Sequence, residues 1–272
     1  MSENHEKYAL MWHENIDRLK AVDAHTVQHE YEQALSLCAE LHPHLSSSLD
    51  SDEYIQFLSL YADIVALHNN IDKEIDIQEE IVNIRHRQAE ANSGEYDGKL
   101  ANSLLYAAML HRKAVNVHKS IEYMEQYHLC QQKIEEKNPG ANSLNVVLAT
   151  FRLADTYAHF GRNILAEENY IDAIMLADEL RNNDPANETS HSMLLGELLI
   201  EIGNFYFKDY MINEAIDRYI QSIDTLRPYE KVNDVAATLL QSLYQQLHNI
   251  YAAIGNNKRA EYYNALIKQP NK

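Results

Sequence analysis

Apolar positions along the chain recur every three and four residues almost throughout, the period of an amphipathic helix. Ile55, Leu58, Tyr61, Ala62 and Val65 follow it, and so do Leu194, Leu195, Leu198, Ile202, Phe205 and Tyr206. No run of clean apolar–polar alternation marks a strand. Helix-start residues cut the pattern into segments. Thr26, Asp52, Asn70, Asn116, Asn142, Asn163, Asp209, Asp234 and Asn256 are candidate N-caps, whose side-chain oxygens accept from the free N–H groups of a first turn. Gly161 and Gly255 each precede the next cap by one or two residues, where a left-handed residue closes a helix. About twelve helices in six antiparallel hairpins result: 5–21 with 25–41, 52–68 with 71–91, 98–114 with 117–137, 142–160 with 163–181, 189–207 with 210–226, and 233–254 with 256–267. Joints inside a hairpin are very short. Between hairpins, loops are expected at Leu45–Ser48, Ser93–Gly98, Asn138–Gly140 and Asn182–Pro185. None is long enough for a linker, so 1–272 reads as a single domain.

Composition sharpens this picture. The chain holds 7 Gly and 5 Pro in 272 residues, against roughly 12% in average usage. Sheets and their turns consume those residues, so β and βαβ architectures are disfavoured. With 46% apolar residues, the chain can bury a sizeable core. Pro43, Pro139, Pro185, Pro228 and Pro270 read as stops after the second helix of a pair, with Gly94 and Gly98 filling the one missing stop. The last three proline gaps, 46, 43 and 42 residues, indicate a repeat.

The repeat is sharpest in the last three hairpins. Leu153-Ala154-x2-Tyr157 is followed by Ala166 and Tyr170, Ile202-Gly203-x2-Tyr206 by Ala215 and Tyr219, and Leu247-His248-x2-Tyr251 by Ala260. A small residue after the leading apolar one lets the second helix cross closely, and the later Ala is its facing contact. This pattern resembles the tetratricopeptide repeat, L-G-x2-Y then A-x3-F then P. The resemblance is clear over 145–268. Earlier, Tyr61-Ala62-x2-Val65 and Tyr106-Ala107-x2-Leu110 keep the first half but place Glu74 and Lys119 where the Ala should fall. The hairpin in 1–45 matches only as an amphipathic pair, an atypical cap. Aligning Ala62, Ala107, Ala154, Gly203 and His248 gives spacings of 45, 47, 49 and 45. Those exceed the 34-residue tetratricopeptide period and match HEAT or armadillo lengths, but the Tyr and Ala placement favours the former. The chain is thus similar to long-helix tetratricopeptide proteins, such as bacterial peptide-sensing regulators and kinesin-light-chain-type adaptors. That resemblance implies an all-α, right-handed α-solenoid, with first helices lining a concave groove. His248 in a small position implies a looser last contact.

Charge bears on partners. Lys and Arg number 23 against 41 Asp and Glu, a net −18, and the densest basic stretch is Arg85-His86-Arg87. Nucleic acid and anionic membrane are therefore not expected partners. The first residues carry neither a basic nor an apolar signal region, and no apolar stretch is long enough to span a bilayer. Cys38 and Cys130 read as reduced core thiols. A cytoplasmic protein is expected.

The resemblance directs attention to the first-helix faces. Glu197, Glu201, Asn204 and Lys208 form one polar stripe, Arg152, Asp155 and His159 another, and Gln245 with Asn249 a third; Arg112 joins them on an earlier first helix. A solvated amphipathic face explains the same residues without any ligand. Acidic Asp155, Glu197 and Glu201 oppose a C-terminal carboxylate, so a polar or basic peptide suits the groove. His25-x3-His29 would place two imidazoles on one helical face, but no further metal ligand follows at a recognisable spacing. His42-Pro43-His44 reads as a helix end. No phosphate loop, dinucleotide fingerprint or nucleophile elbow occurs. The expectation is a non-catalytic scaffold without a cofactor. A peptide-sensing regulator and an unrecognised metal-dependent enzyme remain the alternatives.

Overall fold

The structure, a computed structural model, describes residues 3–23 and 25–267. Pro270, expected to follow the last helix, lies outside them. Twelve α-helices are described: α1 (Glu3–Lys20), α2 (Gln28–Leu45), α3 (Ser51–Ala66), α4 (Ile71–Ala91), α5 (Ser93–Lys113), α6 (Val117–Lys137), α7 (Ser143–His159), α8 (Asn163–Asn183), α9 (Glu188–Lys208), α10 (Ile212–Leu226), α11 (Asp234–Ala253) and α12 (Asn257–Ile267). Short 3₁₀ segments at Pro185–Asn187 and Arg227–Tyr229 hold two of the prolines. No strand occurs among the described residues. The chain divides into two units, 1–137 and 138–272. Within each unit, three hairpins follow one another, and each inner helix packs on both its chain neighbours.

The turns inside hairpins fix the repeat register. Five of them place one residue in the left-handed region: Asn69 (φ 54), Val115 (58), Gly161 (69), Tyr210 (61) and Gly255 (76). In four, the next N–H reaches back five residues, from Asn116, Arg162, Met211 and Asn256 to the carbonyls of His111, Tyr157, Tyr206 and Tyr251, at 2.8, 2.8, 2.9 and 2.8 Å. This is the Schellman closure, which satisfies carbonyls that the ending helix leaves free. Successive left-handed residues lie 46, 46, 49 and 45 apart. The excess over 34 is helix rather than loop. Five helices run 21 residues, about 31 Å each.

That register corrects the third hairpin. Counting three back from His111 puts the small residue at Ala108, not Ala107. The facing position is then Ser120 rather than Lys119. Ser120 is fully buried, and its hydroxyl donates to the Ala108 carbonyl at 3.0 Å. The second hairpin does depart from the rule: Glu74 occupies the facing position and is buried, taking a 2.6 Å hydrogen bond from the Tyr106 hydroxyl. Gly203 shows why the contact demands a small residue, since a Cβ there would meet the Tyr219 ring at 2.5 Å. The His248 ring Nδ1 bonds the Ala260 carbonyl at 2.9 Å, bridging the last contact.

Several boundaries also change. Ser93–Gly98 is the start of α5 rather than a loop, so a single residue, Asn92, joins α4 to α5, and Gly94 and Gly98 are not stops. Pro43 lies inside the last turn of α2 instead of after it. Asp50, not Asp52, caps α3, accepting from the N–H groups of Asp52 and Glu53. Asn233, not Asp234, caps α11. Asn70, Asn116 and Asn256 do accept from the third N–H of their helices. Thr26, Asn142, Asn163 and Asp209 make no side-chain cap; in each case the first turn starts elsewhere or its side chain is engaged elsewhere.

The core of 1–137 gathers around Trp12, Leu41, Phe57, Leu58 and Ile64, with Trp12 edge-on to Phe57 at 5.5 Å. A core of 138–272 joins Val147, Ala173 and Ala177 to Leu195, Leu198 and Leu199. Both cysteines are free and buried, and burial pushes the Cys38 thiol up to about 12.

Candidate functional site

In unit 138–272 the three first helices are α7, α9 and α11. Their closing residues Tyr157, Tyr206 and Tyr251 give a common origin. Five residues earlier stand Arg152, Glu201 and Gln246; two earlier stand Asp155, Asn204 and Asn249; two later stand His159 and Lys208. Equal helical register puts each set on the same face of its helix. Most of the predicted polar stripe therefore falls into rows. Glu197 continues the α9 stripe one turn further in. Arg112 falls outside the pattern: it lies in unit 1–137, one residue past His111, and Lys113 holds the equivalent of His159 and Lys208.

Gln245 falls off its row as well. It is exposed and donates to Asn249 Oδ1 at 3.0 Å on the same helix. Gln246 takes its place, and the sequence pattern had missed it. The Gln246 amide donates to the Tyr219 hydroxyl at 2.6 Å and to Asn204 Oδ1 at 3.4 Å. The Tyr219 hydroxyl donates to Asn204 Oδ1 at 2.9 Å. This triad ties α9, α10 and α11 together beneath the row. Burial, then the Glu201 charge, pushes the Tyr219 hydroxyl up to about 12, so it stays a donor. The Asn204 side chain is thus held by two donors rather than standing free in solvent. Spacing had marked Tyr219 as a gap-filling ring; nothing in spacing reports what its hydroxyl does.

Support continues under α9. The Tyr206 hydroxyl donates to Glu167 Oε1 at 2.7 Å, and Phe151, Tyr170, Phe205 and Tyr206 form a chain of rings with centroids 5.4–5.7 Å apart. Arg152, His159, Glu197, Glu201, Lys208 and Asn249 are exposed, while Asp155 and Asn204 are half-buried. The surface presents donors and acceptors of both charge signs at helical intervals. Chemically, it can hydrogen-bond a backbone and discriminate side-chain charge.

The histidine pair does not assemble. His25 lies in the turn before α2, with its N–H bonded to Asp23 Oδ1, and His29 lies in the first turn of α2, bonded to Gln33. Among the described residues, no group of three His, Cys, Asp or Glu is placed to hold a metal ion. No described helix is long and apolar enough to cross a membrane.

Comparison with known proteins is informative at the level of fold. No family model and no curated protein matches the sequence. Among solved structures, BtubC (BKLC) from P. vanneervenii is 16% identical, over 90% of this chain and 92% of that one, with a TM-score of 0.56. The apo form of RapI is 11% identical over 96% of each chain, with a TM-score of 0.51. A putative kinesin light chain from Podosopora anserina, built of nearly identical TPR-like repeats, is 14% identical over 85% of this chain and 100% of that one, with a TM-score of 0.49. The hairpin register defines an all-α, tetratricopeptide-repeat-like fold, and the likenesses to BtubC and RapI agree with it.

Proposed function

We propose that this protein is a non-catalytic interaction scaffold of the cytoplasm, and that the α7–α9–α11 face holds an extended segment or helix of a partner protein. The observation that carries this reading is the alignment of polar side chains on three successive first helices, braced by the Asn204–Tyr219–Gln246 triad. A braced polar side chain loses little freedom when a ligand binds it, which is what makes a recognition surface rather than a merely solvated one. Asp155, Glu197 and Glu201 set the preference: the partner segment is polar or basic. Arg152 and Lys208 flank them and fix its direction.

The test is capture from native lysate on the wild-type protein and on a Glu197→Lys/Glu201→Lys/Lys208→Glu variant of unchanged circular dichroism. A partner recovered by the first and reduced about tenfold on the second supports the reading. Equal recovery of every partner on both proteins defeats it.

A further inference from the structure

The turn between α5 and α6 breaks three local rules at once. Val115 is left-handed at φ 58, where Gly161 and Gly255 serve the equivalent turns. A β-branched residue there is a steric outlier. Its side chain gains no burial in exchange, being 72% exposed, and Val117 beside it is exposed too. Third, Lys119 occupies the first turn of α6, which has no acidic residue. Cations at a helix N-terminus oppose the macrodipole. Arg112 and Lys113, at the end of α5, have an ordinary dipole explanation; Lys119 has none.

The wider charge pattern isolates this turn. No Asp or Glu occurs from residue 98 to 121, a stretch holding Lys99, Arg112, Lys113 and Lys119 in a chain of net charge −18. Arg85–Arg87 is the densest basic run in the sequence, and Arg112, Lys113 and Lys119 bracket the α5–α6 turn as a second basic stretch of unit 1–137. The carboxylates nearest it are Glu122, 3.6 Å from Lys119, Glu79, 3.1 Å from the His111 ring, and Asp72 in the first turn of α4, beside Lys73. Sites where several local preferences fail together are functional more often than accidental.

We infer that the α5–α6 turn is a second docking surface, on which Val115 enters a short acidic segment of a partner protein and Lys113 and its basic neighbours meet that segment's carboxylates. Charge complementarity selects the occupant. A short segment docked on the turn feels mainly the charges within a Debye length, about 8 Å at physiological salt. A nucleic acid or an anionic bilayer extends beyond that range and meets the acidic remainder of the chain. This surface shares no residue with the α7–α9–α11 face, and its preference for charge is the opposite.

The test is selection of a random twelve-residue peptide display library on the full chain, followed by affinity measurement of the enriched peptides on wild type, Lys113→Glu and Val115→Gly. Enriched peptides rich in Asp and Glu around an apolar residue, weakened about tenfold by each substitution, support the inference. Val115→Gly removes the backbone strain, so its loss of binding cannot come from unfolding. Peptides without acidic bias, or acidic peptides indifferent to both substitutions, overturn it. So does binding of phosphatidylserine vesicles or poly(U) that Lys113→Glu abolishes, or a concentration-dependent dimer in sedimentation that either substitution dissolves.

Discussion

Glycine has opposite meanings at two places in this chain. At the left-handed turn positions it relieves strain, and Val115 and Tyr210, at φ 58 and 61, forgo that relief. Tyr210 is 88% exposed, so its ring recovers nothing through burial. Left-handed geometry costs an L-residue about 1–2 kcal/mol, part of which glycine returns as lost chain entropy. Val115→Gly and Tyr210→Gly should therefore each raise stability by about 1 kcal/mol, read as a higher urea midpoint at unchanged slope. A fall in the midpoint would refute the strain assigned to these turns. At Gly203, by contrast, the backbone is helical and the space is what matters. The Tyr219 ring that a Cβ would strike is fully buried and its hydroxyl is tied to Asn204 and Gln246. Overpacking of this kind costs about 1–3 kcal/mol. Gly203→Ala should lower the midpoint accordingly, even though alanine is the better helix former.

Between elements, the same small-residue contact decides how helices cross. Ser120 fills it in the third hairpin through a hydroxyl bonded to the Ala108 carbonyl, as the Ser222 hydroxyl bonds Gly196 at 2.8 Å in the fifth. Ser120→Ala keeps the close approach and loses one hydrogen bond, about 1 kcal/mol. Ser120→Leu forces the helices apart and should cost more than twice as much; comparable thermal unfolding of the two variants would show that α5 and α6 do not need the approach. The contact also explains where the sequence was readable. Hairpin pairing was legible because Gly161, Gly255 and the caps Asn70, Asn116 and Asn256 punctuate a clean 3.6-residue period, and the rows through Arg152 and Glu201 followed from it. Ala107 and Ala108 adjoin, and both suit a small position, so spacing alone could slip by one and hide Ser120. The same one-residue ambiguity exchanged Gln245 for Gln246. Val115 was illegible for a different reason: nothing about valine announces a left-handed turn, which tertiary closure of the hairpin imposes. Asn92 as a one-residue joint was equally hidden, because Gly94 and Gly98 advertise a loop that helix packing overrides.

Across the whole molecule, many of the 18 tyrosines are buried beside aliphatic core residues, and this gives stability a particular pH dependence. Burial is the leading cause that pushes Tyr123, Tyr219 and Tyr263 up to about 12, with the charge of Glu79 adding at Tyr123 and that of Glu201 at Tyr219. Tyr54 rises further, helped by a hydrogen bond to Glu80. An unfolded tyrosine loses its proton near pH 10. Between pH 10 and 12 the folded chain consequently holds more protons than the unfolded one, and stability falls as pH rises. Below pH 10 the contribution is complete. Each such hydroxyl withdraws at most about 1.4 kcal/mol per pH unit in that window, so several acting together remove a large share of the roughly 5–15 kcal/mol that holds a typical domain. Raising the pH from 9 to 12 should thus unfold the helices cooperatively, with the buried tyrosines' share of tyrosinate absorbance at 295 nm climbing in step with loss of ellipticity at 222 nm. Tyr219→Phe removes one of these hydroxyls and should move the alkaline midpoint upward relative to neutral-pH stability, although it loosens Asn204 and Gln246. Complete tyrosinate formation near pH 10 while helicity persists would mean that these hydroxyls ionise inside the folded state, and that the burial assigned to them is wrong.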